Sequence, residues 1–166
     1  MRGTGRLFGL LFPDGGFQGD NGKKFMIMSK VAVVYWTGSG NTQAMAEQVR
    51  AGAEGAGAAV DEIFADQFTA ADVAKYDAFA FGCPAMGDEV LEEGTFQPMW
   101  DEVKSSLSGK SVGLFGSYGW GSGQWMEDWK SDAQSAGAQV VGTVIANNAP
   151  DDAGCEECRS LGARLA

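Results

Sequence analysis

The period of the hydrophobic positions changes repeatedly along this chain. Val31-Ala-Val-Val-Tyr-Trp36 is an unbroken apolar, β-branched run, the pattern of a strand buried on both faces. Six small or polar residues follow, Thr37-Gly-Ser-Gly-Asn-Thr42. A helical spacing then opens, with Met45 and Val49 one turn apart and Gly55 and Gly57 placed to stop it, which predicts a helix over Thr42–Ala53. Ala59–Phe64 reads as a second strand, Phe68–Ala74 as a short helix and Tyr76–Gly82 as a third strand. A loop, Cys83–Glu93, leads to a helix over Thr95–Leu107 with Phe96, Trp100, Val103 and Leu107 on one face. Ser111–Gly116 is predicted as a fourth strand, Ser117–Gly123 as a Gly-rich loop and Gln124–Ala136 as a helix with Trp125 and Trp129 one turn apart. Gln139–Ala146 is the fifth strand, and Pro150, Asp151 and Asp152 suit the start of a last helix towards Leu165.

Five strands alternating with helices predict an α/β domain, a parallel sheet covered on both faces. Ligands of such sheets bind beyond the carboxyl ends of the strands. The candidate loops are therefore 37–42, 83–89 and 117–123.

The first loop presents backbone amides at the positive end of a helix dipole, which suits an anion. Thr37, Ser39 and Thr42 add hydroxyls and Asn41 an amide. No Lys or Arg lies between Val31 and Gln48, which excludes a nucleoside-triphosphatase loop with its Gly-Lys-Ser/Thr. Gln43 stands where a dinucleotide fingerprint needs its third glycine, although Asp61 and Glu62 lie near the end of the second strand. A single phosphate held by dipoles and hydroxyls remains. The third loop sets Tyr118 and Trp120 among Gly119, Gly121 and Gly123, a poor setting for burial and a good one for stacking on a flat ring. The second loop adds Met86, whose polarisable thioether packs well on aromatic rings. A phosphate on one loop and a flat ring between the other two describe a flavin mononucleotide (FMN) pocket.

Charge narrows the partners. The 166 residues carry a net charge of −10. Residues 1–29 hold Arg2, Arg6, Lys23 and Lys24 against Asp14 and Asp20, a balance of +2, so the remainder carries −12. Such a domain repels nucleic acid and anionic membranes and favours basic partners. The absence of histidine removes Ser–His and Cys–His nucleophilic systems and the commonest metal ligand. Three cysteines argue against a secreted disulfide framework, and no apolar run approaches the ~20 residues of a membrane span, so a cytoplasmic protein is expected. Cys155-Glu-Glu-Cys158 lacks the further Cys or His that a zinc site needs, and no metal site is expected. Residues 1–29 are Gly-rich and aperiodic; they are expected to be an extension that is disordered or dispensable for folding and cofactor binding, the domain proper being 30–166. Leu7–Phe12 is too short and broken for a secretory signal.

Val34-Tyr-Trp-Thr-Gly-Ser-Gly-Asn-Thr42, Gly82-Cys-Pro-Ala-Met-Gly-Asp-Glu89 and Phe115-Gly-Ser-Tyr-Gly-Trp-Gly-Ser-Gly123 resemble the short-chain bacterial flavodoxins, of the type found in clostridia and Megasphaera. The resemblance covers about residues 30–166. It implies a flavodoxin-like three-layer fold with a five-stranded parallel sheet of order 2-1-3-4-5. It also implies a low-potential one-electron carrier of non-covalent FMN, shuttling between semiquinone and hydroquinone, a monomer that meets redox proteins through their basic patches. Carried over by position, Thr37, Gly38, Ser39, Gly40, Asn41 and Thr42 would hold the phosphate. Ala85, Met86, Gly87, Asp88 and Glu89 would flank one side of the ring, with the Gly87–Asp88 peptide beside N5 and Glu89 receiving N3–H. Ser117, Tyr118, Gly119, Trp120 and Gly121 would flank the other, with Trp120 stacked and Gly119 serving the pyrimidine end. Pro84 stands where some relatives carry a serine. An FMN-dependent quinone or NAD(P)H oxidoreductase on the same fold is the rival reading. A phospho-receiver module is excluded, because Thr37-Gly38 and Cys83-Pro84 stand where it needs acidic residues.

Overall fold

The computed structural model describes residues 28–166, so the expectation for the first 27 residues lies outside the described residues. The elements run β1 (Lys30–Tyr35), α1 (Asn41–Gly55), β2 (Ala59–Phe64), two 3-10 turns (Ala65–Gln67 and Ala70–Lys75), β3 (Ala78–Gly82), α2 (Phe96–Val103, prolonged by a 3-10 turn), β4 (Ser111–Tyr118), α3 (Gln124–Ser135), β5 (Gln139–Asn147) and α4 (Asp152–Leu165). All neighbouring strands are parallel, in the order β2-β1-β3-β4-β5.

Alternation along the strands divides the core in two. Ala32 and Val34 join Phe79, Phe81 and Leu114 against Trp100 of α2 and Trp125 of α3. Val31 and Val33 face the other way, onto Met45 and Val49 of α1 and Leu161 of α4. On that second face α1 and α4 cross at glycines. A Cβ on Gly52 would stand 2.0 Å from the Arg159 carbonyl oxygen, and one on Gly162 would stand 2.0 Å from that of Val49. Only glycine lets the two backbones approach so closely.

The structure departs from the sequence pattern most clearly in three places. β4 runs on through Ser117 and Tyr118, which pair with Ala146 and Asn147 of β5. These two residues therefore belong to the strand and not to the Gly-rich loop, because β5 continues far enough to supply a ladder. β3 begins at Ala78 instead of Tyr76. Tyr76 turns its hydroxyl to Asp61 Oδ2 at 2.7 Å, and Asp77 accepts the Lys30 amide at 2.8 Å, so both side chains close the entry to the strand. The expected helix over Phe68–Ala74 is instead a 3-10 turn over Ala70–Lys75, with Thr69 and Asp72 forming a capping box at its start; a separate 3-10 turn, Ala65–Gln67, precedes it.

Helix starts on the α2–α3 face are held by acidic side chains. The Glu92 carboxylate accepts the amides of Gly94, Thr95 and Phe96 at 2.8, 2.9 and 2.8 Å. Burial pushes its pKa up, but the Phe96, Thr95 and Gly94 amides outweigh that and hold it below the ordinary carboxylate range. Asp132 of α3 accepts Trp100 Nε1 at 2.8 Å and Lys104 Nζ at 2.9 Å, which ties α3 to α2.

Candidate functional site

The carboxyl ends of β1, β3 and β4 open on one edge of the sheet, where the three candidate loops emerge. They enclose a cavity of about 400 Å³. Its lining includes Thr37, Gly38, Ser39, Asn41 and Thr42 from the first loop, Ala85 and Met86 from the second, and Ser117, Tyr118 and Gly119 from β4 and its end.

The first loop is built as a donor cradle. Gly40 precedes α1 with φ 99, a left-handed backbone that L side chains rarely adopt. Its amide donates to Thr37 Oγ1 at 3.0 Å. The helix start has no capping side chain and no acidic residue in its first turn. The amides of Ser39, Asn41 and Thr42 have no acceptor among the described residues. A helix start with open donors facing a cavity is an anion site. Thr42 is buried, and its Oγ1 accepts the Ser117 amide at 3.3 Å, which leaves the hydroxyl proton to donate elsewhere.

The second loop is a tight turn. Met86 and Val90 exchange backbone hydrogen bonds of 2.8 and 2.9 Å, which closes Gly87-Asp88-Glu89 between them. Gly87 has φ 49 and Glu89 φ 57. A left-handed backbone at a non-glycine residue costs about 1–3 kcal/mol and persists only where surrounding contacts hold it. Here Glu89 Oε1 accepts the amides of Gly123 and Gln124 at 3.0 and 2.8 Å, and Oε2 accepts that of Ser122 at 3.3 Å. The carboxylate thus sits on the start of α3. Its Oε2, with one long contact, keeps capacity for a further donor.

The remaining candidates ring the cavity and do not line it. Gly40, Gly87, Asp88, Glu89, Trp120 and Gly121 occupy the rim loops. Trp120 is 66% and Met86 38% exposed, large apolar side chains left in solvent at the mouth. Cys83 lies buried below, with its thiol pushed up in pKa by burial, and is inert packing. Cys155 and Cys158 are free thiols on α4; burial, then Cys155 and Glu157, push Cys158 up to about 12. Among the described residues no group of three or more side chains could hold a metal ion.

The flavodoxin family model matches residues 33–162. The chain belongs to the flavodoxin family. It is 48% identical over 132 residues to the flavodoxin of Megasphaera elsdenii, across 80% of this chain and 95% of that protein. It is 42% identical over 135 residues to the flavodoxin of Clostridium beijerinckii, across 81% of this chain and 97% of the relative. The solution structure of two-electron reduced Megasphaera elsdenii flavodoxin superposes with a TM-score of 0.76, at 45% identity, covering 81% of this chain and 98% of that one. The flavodoxin cofactor is FMN and the activity electron transfer. The cavity fits that group: open amides and hydroxyls for a phosphate at one end, and apolar, partly exposed side chains at the other.

Three lining residues escaped the sequence reading in their role: Trp36, Pro84 and Asn148. Trp36 lies under the first loop, where a Cβ on Gly38 would meet its ring at 3.0 Å. Asn148 enters from β5 with φ 61, its amide donating to the Tyr118 carbonyl at 2.8 Å. The signal for it was the Asn147-Asn148-Ala149-Pro150 turn, since Asn tolerates the left-handed region better than most residues.

Proposed function

We propose that this chain is an electron carrier without a substrate of its own, holding FMN at the carboxyl ends of β1, β3 and β4. The observation that supports this most directly is the start of α1, where open amides and hydroxyls face the cavity with no Lys or Arg among its described lining residues. In this reading Thr37, Ser39, Asn41 and Thr42, with the amides between them, bind the phosphate. Met86 and Trp120 cover the two ring faces, and the amides of Gly119 and Gly121 serve the polar ring edge. When bound, FMN supplies a ring that takes and gives electrons one at a time.

The chain's own residues set the energetics. Gly87 adopts φ 49 at little cost, so the Gly87–Asp88 peptide can offer its carbonyl to a proton at the ring edge. Asp88 and Glu93 are exposed, while Glu89 and Glu92 face helix starts whose positive ends offset part of their charge. The net field opposes added negative charge, at about 1 kcal/mol for each close charge in a watery setting, which favours a low potential. The acidic surface steers the chain to basic patches on redox proteins. Among the described residues no helix is long and apolar enough to cross a membrane. In this reading the chain works as a monomer in the cytoplasm, a reducing setting in which the three free thiols stay reduced.

Stepwise anaerobic reduction of the FMN-loaded chain tests this. Two separated one-electron steps are expected, with no turnover of NAD(P)H or quinones unless a reductase is added. Sustained turnover by the chain alone would move it to the FMN-dependent oxidoreductases.

A further inference from the structure

A second, smaller cavity of about 170 Å³ begins where the Met86 turn ends, at Val90 and Leu91, and is completed by residues of α2 and α3. Met86 lines the cofactor cavity and exchanges two backbone hydrogen bonds with Val90, so the two cavities share one turn. We propose that the smaller cavity seats one lysine side chain of a protein that docks at the cofactor mouth. The proposal rests on the carrier reading above and goes beyond it. Surface charge attracts any basic partner, whereas a cavity holds one side chain in one place and so sets how the partner lies.

Three observations converge on a lysine. First, the cavity has two kinds of wall. Leu91, Trp125 and Trp129 are buried apolar side chains, and Val90 stands 41% exposed beside them. The polar wall is Gln97, Asp128, Asp132 and Glu89, with no Lys or Arg among the lining residues. An apolar floor under an acidic rim suits a side chain with a four-carbon stem and a cationic end. Second, the open acceptors come singly. Asp132 has both oxygens engaged by Trp100 and Lys104, and the Glu89 carboxylate is committed to the start of α3. Asp128 Oδ1 accepts Gln124 Nε2 at 3.0 Å, which leaves its Oδ2 open. Gln97 donates its amide nitrogen to Asp101 at 3.0 Å, which leaves its carbonyl oxygen open. No carboxylate here offers two free oxygens to the flat fork of an arginine, while an ammonium takes single acceptors one by one. Third, a donor in the wall is unused. Trp129 is 2% exposed, and its Nε1 is the one buried side-chain polar atom without a hydrogen-bond partner among the described residues. A peptide carbonyl next to the incoming lysine supplies the acceptor that this indole lacks.

Nuclear magnetic resonance of the full chain with oxidised FMN added, titrated with the peptide acetyl-Gly-Lys-Gly-amide, tests the seat. The Trp129 indole N–H resonance should move and saturate, with half-saturation at about 10 mM for one seated side chain. The same peptide with norleucine, which keeps the stem and loses the charge, should bind about tenfold more weakly, and the arginine peptide should also bind more weakly than lysine. Asp128→Asn should weaken the lysine peptide about fivefold or more, since it removes the charge from a charge-assisted hydrogen bond. Glu127→Gln is the control: it makes the same change in net charge from α3, outside this cavity, and should weaken binding by less than twofold. The preference for lysine over norleucine should survive about 0.5 M salt, which screens steering across a distance far more than a contact pair. A Trp129 resonance that stays still would overturn the seat. So would a norleucine or arginine peptide that matches lysine, an Asp128→Asn no weaker than Glu127→Gln, or a preference that vanishes in salt. A chain that takes up no FMN would sink the carrier reading, while the peptide titration would still decide the seat.

Discussion

Single atoms carry the specificity of this site. Thr42 is one of only two buried polar side chains among the described residues, and its hydroxyl faces both β4 and the cavity. Thr42→Val keeps the shape and removes the hydroxyl, so FMN affinity should fall about fivefold, the ~1 kcal/mol of one net hydrogen bond, in a titration of the flavin spectrum. Gly87 acts through its backbone. No atom lies within 4 Å of a Cβ built there, so the Cβ of Gly87→Val has open space, and the variant meets the cost of φ 49 for a β-branched residue. The two one-electron potentials should then move closer together in a redox titration, and an unchanged gap would remove Gly87 from that role. At this scale the sequence displayed chemistry better than orientation. That Thr37, Ser39, Asn41 and Thr42 line one cavity was legible, because hydroxyls and an amide crowd together at a strand-to-helix junction. The hold of Glu89 on α3 was not legible, since it joins residues 34 and 35 positions apart through a backbone conformation that no local pattern encodes.

Helices α1 to α4 differ in how their ends and faces are secured, and their responses to change differ accordingly. Glu92 caps α2 with three amide bonds, and its folded-state pKa lies below the ordinary value. Its stabilisation is therefore complete above the unfolded carboxylate pKa of about 4.3 and is lost as pH falls through the lower folded value. Unfolding curves of Glu92→Gln should show a smaller loss of stability in that acid range, and Glu92→Ala should cost about 1–2 kcal/mol at neutral pH. The glycine crossing of α1 and α4 is less forgiving. Gly162→Ala places a carbon 2.0 Å from the Val49 carbonyl oxygen, backbone that cannot step aside, and should cost about 1–3 kcal/mol or more in denaturant unfolding. Helices with a clear apolar face, such as the one bearing Phe96, Trp100 and Val103, could be read from spacing because burial enforces the period. The end of β4 could not. Ser117 and Tyr118 look like loop residues, and only the matching length of β5 makes them a strand.

The whole molecule is a sheet with chemistry at one edge and negative charge around it. Alternation of strands and helices disclosed the three layers; the strand order came from the likeness of three motifs, because local sequence does not say which strands are neighbours. A chain beginning at Met28 should fold and bind FMN as the full one does, with unfolding midpoint and flavin titration as the checks. Electron transfer from a reductase should slow as ionic strength rises, because salt screens the attraction between this acidic surface and a basic one. The cradle at residues 37–42 has no lysine or arginine to recruit its anion across a distance. An incoming phosphate must therefore approach a domain of like charge, and the same salt that slows delivery should quicken cofactor uptake. A shift in a cell's internal salt would thus press the loading and spending of this carrier in opposite directions, with one surface serving as the valve for both.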